Sequence, residues 1–184
     1  MQDRILDVAE HLVQTRGFNG FSYADIAASL GVTKASLHYH FPAKAQLGRD
    51  LIVRYTANFL AALKPIDEGA GGAPEKLRRY AGIYADVLSK DRMCLCGMLA
   101  AEYATLPKPM QKELRHFFDE NEGWLAGVLQ QGRRVGELAF SGPPRDVASL
   151  LVSSLEGAMM LARSHGNAKR FRTIADRLVA DLAA

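Results

Sequence analysis

"GVTKASLHYHFPAK", residues 31–44, places two histidines, a tyrosine, two lysines, a threonine and a serine within fourteen positions. Such a cluster suits a metal site, a catalytic histidine pair or a surface that grips nucleic acid. His38 and His40 are two apart, which on a helix points their rings about 200° from each other. Helical metal pairs need ligands three or four apart, so that both rings meet on one face. Catalysis by His38, His40 or Cys94 needs a base held in place by a third group, and no such constellation is legible. Neither a cofactor nor a metal is expected.

The flanks of this stretch read as helices. Ile5, Ala9, Leu12 and Val13 mark a first helix, ended at Gly17. Ser22 with Asp25 three residues on makes a capping box that opens a short helix, Tyr23 to Leu30. Gly31 supplies the left-handed residue that stops it. Thr33 caps a third helix running to about His40, and Pro42 is expected to open a fourth at its first turn. The stripe of the fourth, Leu47, Leu51, Tyr55, Phe59 and Leu63, runs to Pro65.

Helix, tight turn, helix is the helix-turn-helix plan. At 100° per residue, Leu37 and Phe41 share the inward face of the third helix, while Ala35, Ser36, His38 and Tyr39 spread over the other side. Small residues there let a backbone approach a groove floor, and the earliest residues reach base edges. Ser22, Thr33 and Lys44 stand at helix N-termini, which favour an anion. From Gly31 to Lys64 there are five basic residues, Lys34, Lys44, Arg49, Arg54 and Lys64, against Asp50 alone. That is a patch able to follow a phosphate backbone, although a solvated helix face has the same composition.

Arg4 to Leu51 closely resembles the DNA-binding domain of the TetR (tetracycline-repressor-like) family. The resemblance rests on Gly17-Phe18, Ile26-Ala27, Gly31-Val32, Tyr39-His40-Phe41 and Lys44 in order. It implies a transcriptional repressor acting as a homodimer on a palindromic double-stranded operator, with a C-terminal domain that binds a small effector and releases DNA. Carried over position by position, Lys34, Ala35 and Ser36 fall where the family contacts bases. Ser22, Tyr23, Thr33, His38, Tyr39, His40 and Lys44 fall where it contacts phosphates. His38 departs from the tyrosine often found at its place.

The remaining chain is also periodic at 3.6 residues, and no alternating run is long enough for a strand. The fold class expected is therefore all-α, with a helix-turn-helix domain over 1–46 and a helical effector-binding and dimerisation domain over 47–184. "DEGAGGAP", 67–74, reads as a link between bundles. The last two helices are expected to form the dimer: Gly157 and Ala158 allow close approach, and Leu151, Leu155, Phe171, Leu178 and Leu182 supply apolar area. No stretch of about 18 apolar residues appears, so no membrane span is expected. The N-terminus lacks a signal-peptide core, and a cytoplasmic location follows.

The effector side offers two readings. In "DRMCLCGMLAAE", 91–102, Asp91 as N-cap puts Cys94 in the first helical turn beside Lys90 and Arg92, where a thiolate is favoured; Cys96 faces away. Two cysteines so placed are equally read as small buried hydrophobes. The stretch from Cys94-Leu95 to Ala100-Ala101-Glu102 resembles the electrophile-responsive branch of the family, which implies a sensing role for Cys94. A non-covalent effector among Tyr84, Met98, Phe117, Phe118, Trp124 and Met159 is the other reading.

Overall fold

The computed structural model describes residues 1–184 and contains nine α-helices, a 3₁₀ turn and no strand. No helix is long and apolar enough to cross a membrane. The chain divides into two compact units, residues 1–58 with 92–117, and 59–91 with 118–184.

The first unit opens with α1 (Gln2–Arg16), α2 (Tyr23–Leu30) and α3 (Lys34–His40). α1 buries Ile5, Ala9, Leu12 and Val13, as its period requires. The Ser22–Asp25 capping box is present in full at the start of α2, and Gly31, at φ 66°, closes that helix in the left-handed region. Leu37 and Phe41 turn inward beneath α3. α4 (Lys44–Glu68) begins two residues later than the sequence suggests. The Phe41 carbonyl is drawn to the Tyr23 hydroxyl, 2.7 Å away, and Phe41 takes φ −135°, ψ 89°. Pro42 is consequently outside the helix. Ala43 accepts from Gln46 N and Leu47 N in its place. α4 also passes through Pro65 and continues to Glu68, and the stretch 67–74, expected to link two bundles, lies wholly inside the second unit, from the end of α4 through the turn that follows it. Within this unit α6 (Leu95–Ala101) packs on α1, and the first residues of α7 (Lys108–Arg134) complete the core with Met110, Leu114 and Phe117.

The second unit contains α5 (Ala73–Leu88), α8 (Pro144–Ser164) and α9 (Ala168–Leu182), with the later parts of α4 and α7. α8 and α9 form a helical hairpin, and α5 packs against both. The core is apolar except for Glu156 on α8 and a polar cluster. Tyr80 Oη donates to Asn121 Oδ1 at 2.7 Å, Asn121 Nδ2 donates to Tyr84 Oη at 3.1 Å, and the two hydroxyls lie 3.0 Å apart. Asn121 stands on the apolar stripe of α7, and these bonds are what make its complete burial affordable.

Part of the expected dimer face is corrected: Leu151, Leu155, Ala158 and Phe171 are buried within the chain itself, because that stripe holds α8 and α9 on the unit, while Leu178 and Leu182 are half-buried. The outward face of α8 instead carries Leu150 (61% exposed), Met160 and Leu161 (52%). Half-buried Gly157 lies between them.

Candidate nucleic-acid interface

α3 is a short helix with two faces. Thr33 Oγ1 caps it by accepting from Ser36 N at 3.3 Å. Lys34, Ala35, His38 and Tyr39 are exposed, with Ser36 and His40 half-buried. Tyr39 projects furthest, 84% exposed, its ring edge-on to His40 at 5.2 Å. The His38 ring leans on Tyr23 at 4.8 Å, and its Nδ1 lies 3.4 Å from the Pro42 carbonyl. A small-residue face at Ala35, with Lys34 at the first helical position, is the shape that enters a major groove.

An open cleft of about 460 Å³ adjoins α3, and Ser22, Tyr23, Lys34, His38 and Lys44 all line it. The cleft brings together half of the positions singled out by sequence. Besides Ser22 in its capping box, two of them are engaged internally. The Tyr23 hydroxyl donates to the Phe41 carbonyl, and burial pushes its pKa up. The Lys44 ammonium donates to the carbonyls of Phe18 and Phe21 and lies 4.5 and 4.1 Å from the centroids of their rings. Burial lowers its pKa, while the charges of Glu102 and Asp25 act in the opposite sense. Asp25 is held below the usual carboxylate range by the Ser22 hydroxyl and amide.

The five-cation patch is not one face. Arg54 bridges Asp7 and Glu10 at 2.7 and 3.1 Å, Arg49 reaches Glu113 and Asp50, and Lys44 turns inward. Lys34 is the member of the patch that stands exposed on the groove-facing helix.

The effector-side residues divide between the units. Cys94, Met98 and Phe117 belong to the first; Tyr84, Trp124 and Met159 belong to the second. Asp91 is not an N-cap: it adopts φ 55° in the turn after α5, its amide donating to Leu88 O at 3.1 Å. Cys94 therefore precedes α6 as its N-cap instead of lying in its first turn. It is 3% exposed, with the Tyr55 hydroxyl donating toward its sulfur at 3.9 Å. Arg92 reaches Gln14 Oε1. Cys96 is fully buried, as are Met159 and, within the polar cluster, Tyr84. Phe117 lies against Tyr55, and Met98 is half-buried. Trp124 stacks on Tyr80 at 5.6 Å and donates its indole N–H to Asp67 Oδ2 at 2.8 Å. It lines a cavity of about 600 Å³ with Asp67, Lys76, Val128 and Gln131.

Sequence reasoning passed over Glu102 and Tyr80. Glu102 accepts from the amides of Phe18 and Asn19, a contact across 84 residues that no local pattern announces. Tyr80 had a legible signal, since Asn121 as a polar member of an apolar stripe demands a buried partner.

A capped recognition helix on a three-helix core, with its small and basic face outward, defines a helix-turn-helix DNA-binding protein. Residues 5–51 match the bacterial regulatory proteins of the tetR family, and residues 73–178 match the tetracyclin repressor-like C-terminal domain. The chain belongs to the TetR family of transcriptional regulators. A TetR-family regulator from Agrobacterium tumefaciens has the same fold, with a TM-score of 0.96 and 33% identity over 100% of this chain and 97% of its own. A TetR regulator from Legionella pneumophila aligns with a TM-score of 0.91 and 31% identity over 99% and 97%. The HTH-type transcriptional repressor NemR of Escherichia coli K12 is 24% identical over 169 residues, 88% of this chain and 83% of its own.

Proposed function

We propose that this protein is a dimeric repressor that binds a palindromic operator and is released by a small-molecule effector or by modification of Cys94. The outward face of α3 carries the reading: Lys34 and Ala35, with half-buried Ser36, read bases, and Tyr39, His40, His38 and Thr33 hold phosphates. Ser22, Tyr23 and Lys44 line the adjoining cleft and contribute there. The helix-turn-helix domain is assigned to 1–46, and effector binding and dimerisation to 47–184. The polarity of α8 supports a dimer through Leu150, Gly157, Met160 and Leu161, since an exposed apolar stripe on a helix is costly unless covered. Dimerisation gives two recognition helices, which fit half-sites about one turn (~34 Å) apart. Modification of Cys94, which is buried beside the Tyr55 hydroxyl, requires the first unit to open. A cytoplasmic location suits an operator-binding protein.

A gel-shift with the DNA upstream of the protein's own gene, repeated across a salt titration, tests the reading. A retarded species at nanomolar protein whose affinity falls steeply with salt supports it. Absence of a shift at low salt refutes it.

A further inference from the structure

Glu102 directly follows α6, whose opposite end is Cys94. Its carboxylate is half-buried and clasps backbone: Oε2 accepts from Phe18 N at 2.6 Å and Oε1 from Asn19 N at 3.1 Å. The two amides are consecutive and follow Gly17, whose φ of 80° turns the chain so that both N–H groups converge. Such a backbone nest suits an anion. A Cβ on Gly17 would stand 2.9 Å from Glu102 Oε1, so a side chain there would push the carboxylate from its seat, and the φ of 80° itself favours glycine. Asn19 Nδ2 adds a bond to Thr105 Oγ1 at 2.8 Å, and that hydroxyl donates to the Glu102 carbonyl at 2.9 Å.

The clasped turn is also the seat of Lys44, through the carbonyls of Phe18 and Phe21. Lys44 begins α4 three residues after Phe41, the C-cap of α3. A line of hydrogen bonds thus runs from the end of α6, through the α1–α2 turn, to the residue that anchors the exit of the recognition helix.

We infer that Glu102 is a positioning residue for DNA binding: seated on the amides of Phe18 and Asn19, it fixes the α1–α2 turn and, through Lys44, the attitude of α3. The inference rests on α3 being the groove-reading helix. It adds a route by which displacement of α6 from its Cys94 end reaches that helix, since seven residues span only about 10 Å and move as one rod. The geometry suits a carboxylate. Each amide here meets its own oxygen, whereas glutamine in the same pose offers one oxygen and sets its NH₂ against the second donor.

Hydrogen exchange on the DNA-free protein, paired with operator titration, tests this for Glu102→Ala and Glu102→Gln. In Glu102→Ala, exchange at Phe18 and Asn19 should accelerate about tenfold or more, and the amides of α3 should lose protection with them. The amides of α8 and α9 should keep theirs. Operator affinity should fall about tenfold with its salt slope unchanged, because no phosphate-neutralising cation is lost. Glu102→Gln, close to isosteric and able to carry the test should the alanine variant unfold, should fall between wild type and alanine in both readouts. Faster exchange confined to Phe18 and Asn19, with α3 and affinity unaltered, would reduce Glu102 to a local staple and overturn the inference. Unchanged exchange at the two amides would overturn the seat itself. Failure of the wild type to bind operator sinks the reading of α3 instead, and the exchange measurements still decide whether Glu102 positions that helix.

Discussion

Tyr23→Phe separates an internal role from a DNA contact at the position where the two compete most sharply. The substitution keeps the ring, its burial and its contact with His38, and removes only the hydroxyl that donates to Phe41 O at 2.7 Å. Tyr23 and Phe41 are 8% and 3% exposed, so the carbonyl left behind is shielded from water. Leaving a buried acceptor without its donor costs about 1–3 kcal/mol. With a urea slope of about 2–3 kcal/mol per molar for a chain of this size, the unfolding midpoint should drop by roughly 0.3–1.5 M. The sole tryptophan, Trp124, belongs to the other unit, so far-UV circular dichroism and amide exchange in α2 and α3 are the proper monitors. Tyr39→Phe is the matched control: its ring is 84% exposed, so stability should stay within about 0.5 kcal/mol while operator affinity falls. Alkali gives a second signature. Burial raises the Tyr23 pKa in the folded state, so its contribution is full below the unfolded value near ~10 and is lost as pH rises through the folded one. Tyr23→Phe should abolish that alkaline loss. An unchanged midpoint in Tyr23→Phe, with affinity lowered as in Tyr39→Phe, would refute the internal assignment and return the hydroxyl to the phosphates.

Lys34→Ala should change preference among operator variants, because the first turn of α3 is where base edges are reached; uniform weakening across variants would place Lys34 on the backbone. Leu161→Arg should give a folded monomer by light scattering with operator affinity reduced by a hundredfold or so as the bivalent gain is lost, and a dimer of native mass would put the interface elsewhere. Ser22→Ala removes the N-cap of α2 and should cost about 1 kcal/mol. Asp25, whose pKa is depressed in the fold by Ser22, contributes stability above its unfolded value that is lost as pH falls through the folded one; melting between pH 5 and 2 should show this in the wild type and much less in Ser22→Ala. Cys94, being buried, should react with N-ethylmaleimide far more slowly in the native than in the unfolded protein; operator release should track its adduct and vanish in Cys94→Ser, and release persisting there would leave Cys94 a core residue.

The DNA-binding half was legible because its determinants are local. A capping box, a left-handed glycine and an i, i+4 pair at Leu37 and Phe41 each act within one turn of helix, so reading residues in order is enough. What was not legible there has a shared cause. Tyr23, Lys44, Arg49 and Arg54 are polar groups whose partners are a carbonyl or carboxylate between 18 and 64 residues away. A sequence shows that such a group exists and does not show that its hydrogen bonds are already spent. Pro42 illustrates the same point on the backbone: it suits the first turn of a helix, but the pull of Tyr23 on the preceding carbonyl sets where that helix can begin.

The second unit was less legible because its helices are apolar on more than one side. On α8, Leu150, Leu151, Leu155, Ala158 and Leu161 satisfy a helical period from either of two faces, and the sequence offers no means to rank them. Packing with α9 and α5 does: it consumes Leu151, Leu155 and Ala158 and leaves Leu150, Met160 and Leu161 outward. A helix that must hold its own unit together and also meet a partner needs two apolar stripes, and only the stripe left over can serve the second purpose. The arginine belongs at Leu161 for this reason. At Ala158 it would strike the core, and a lost dimer could not be told from a lost fold.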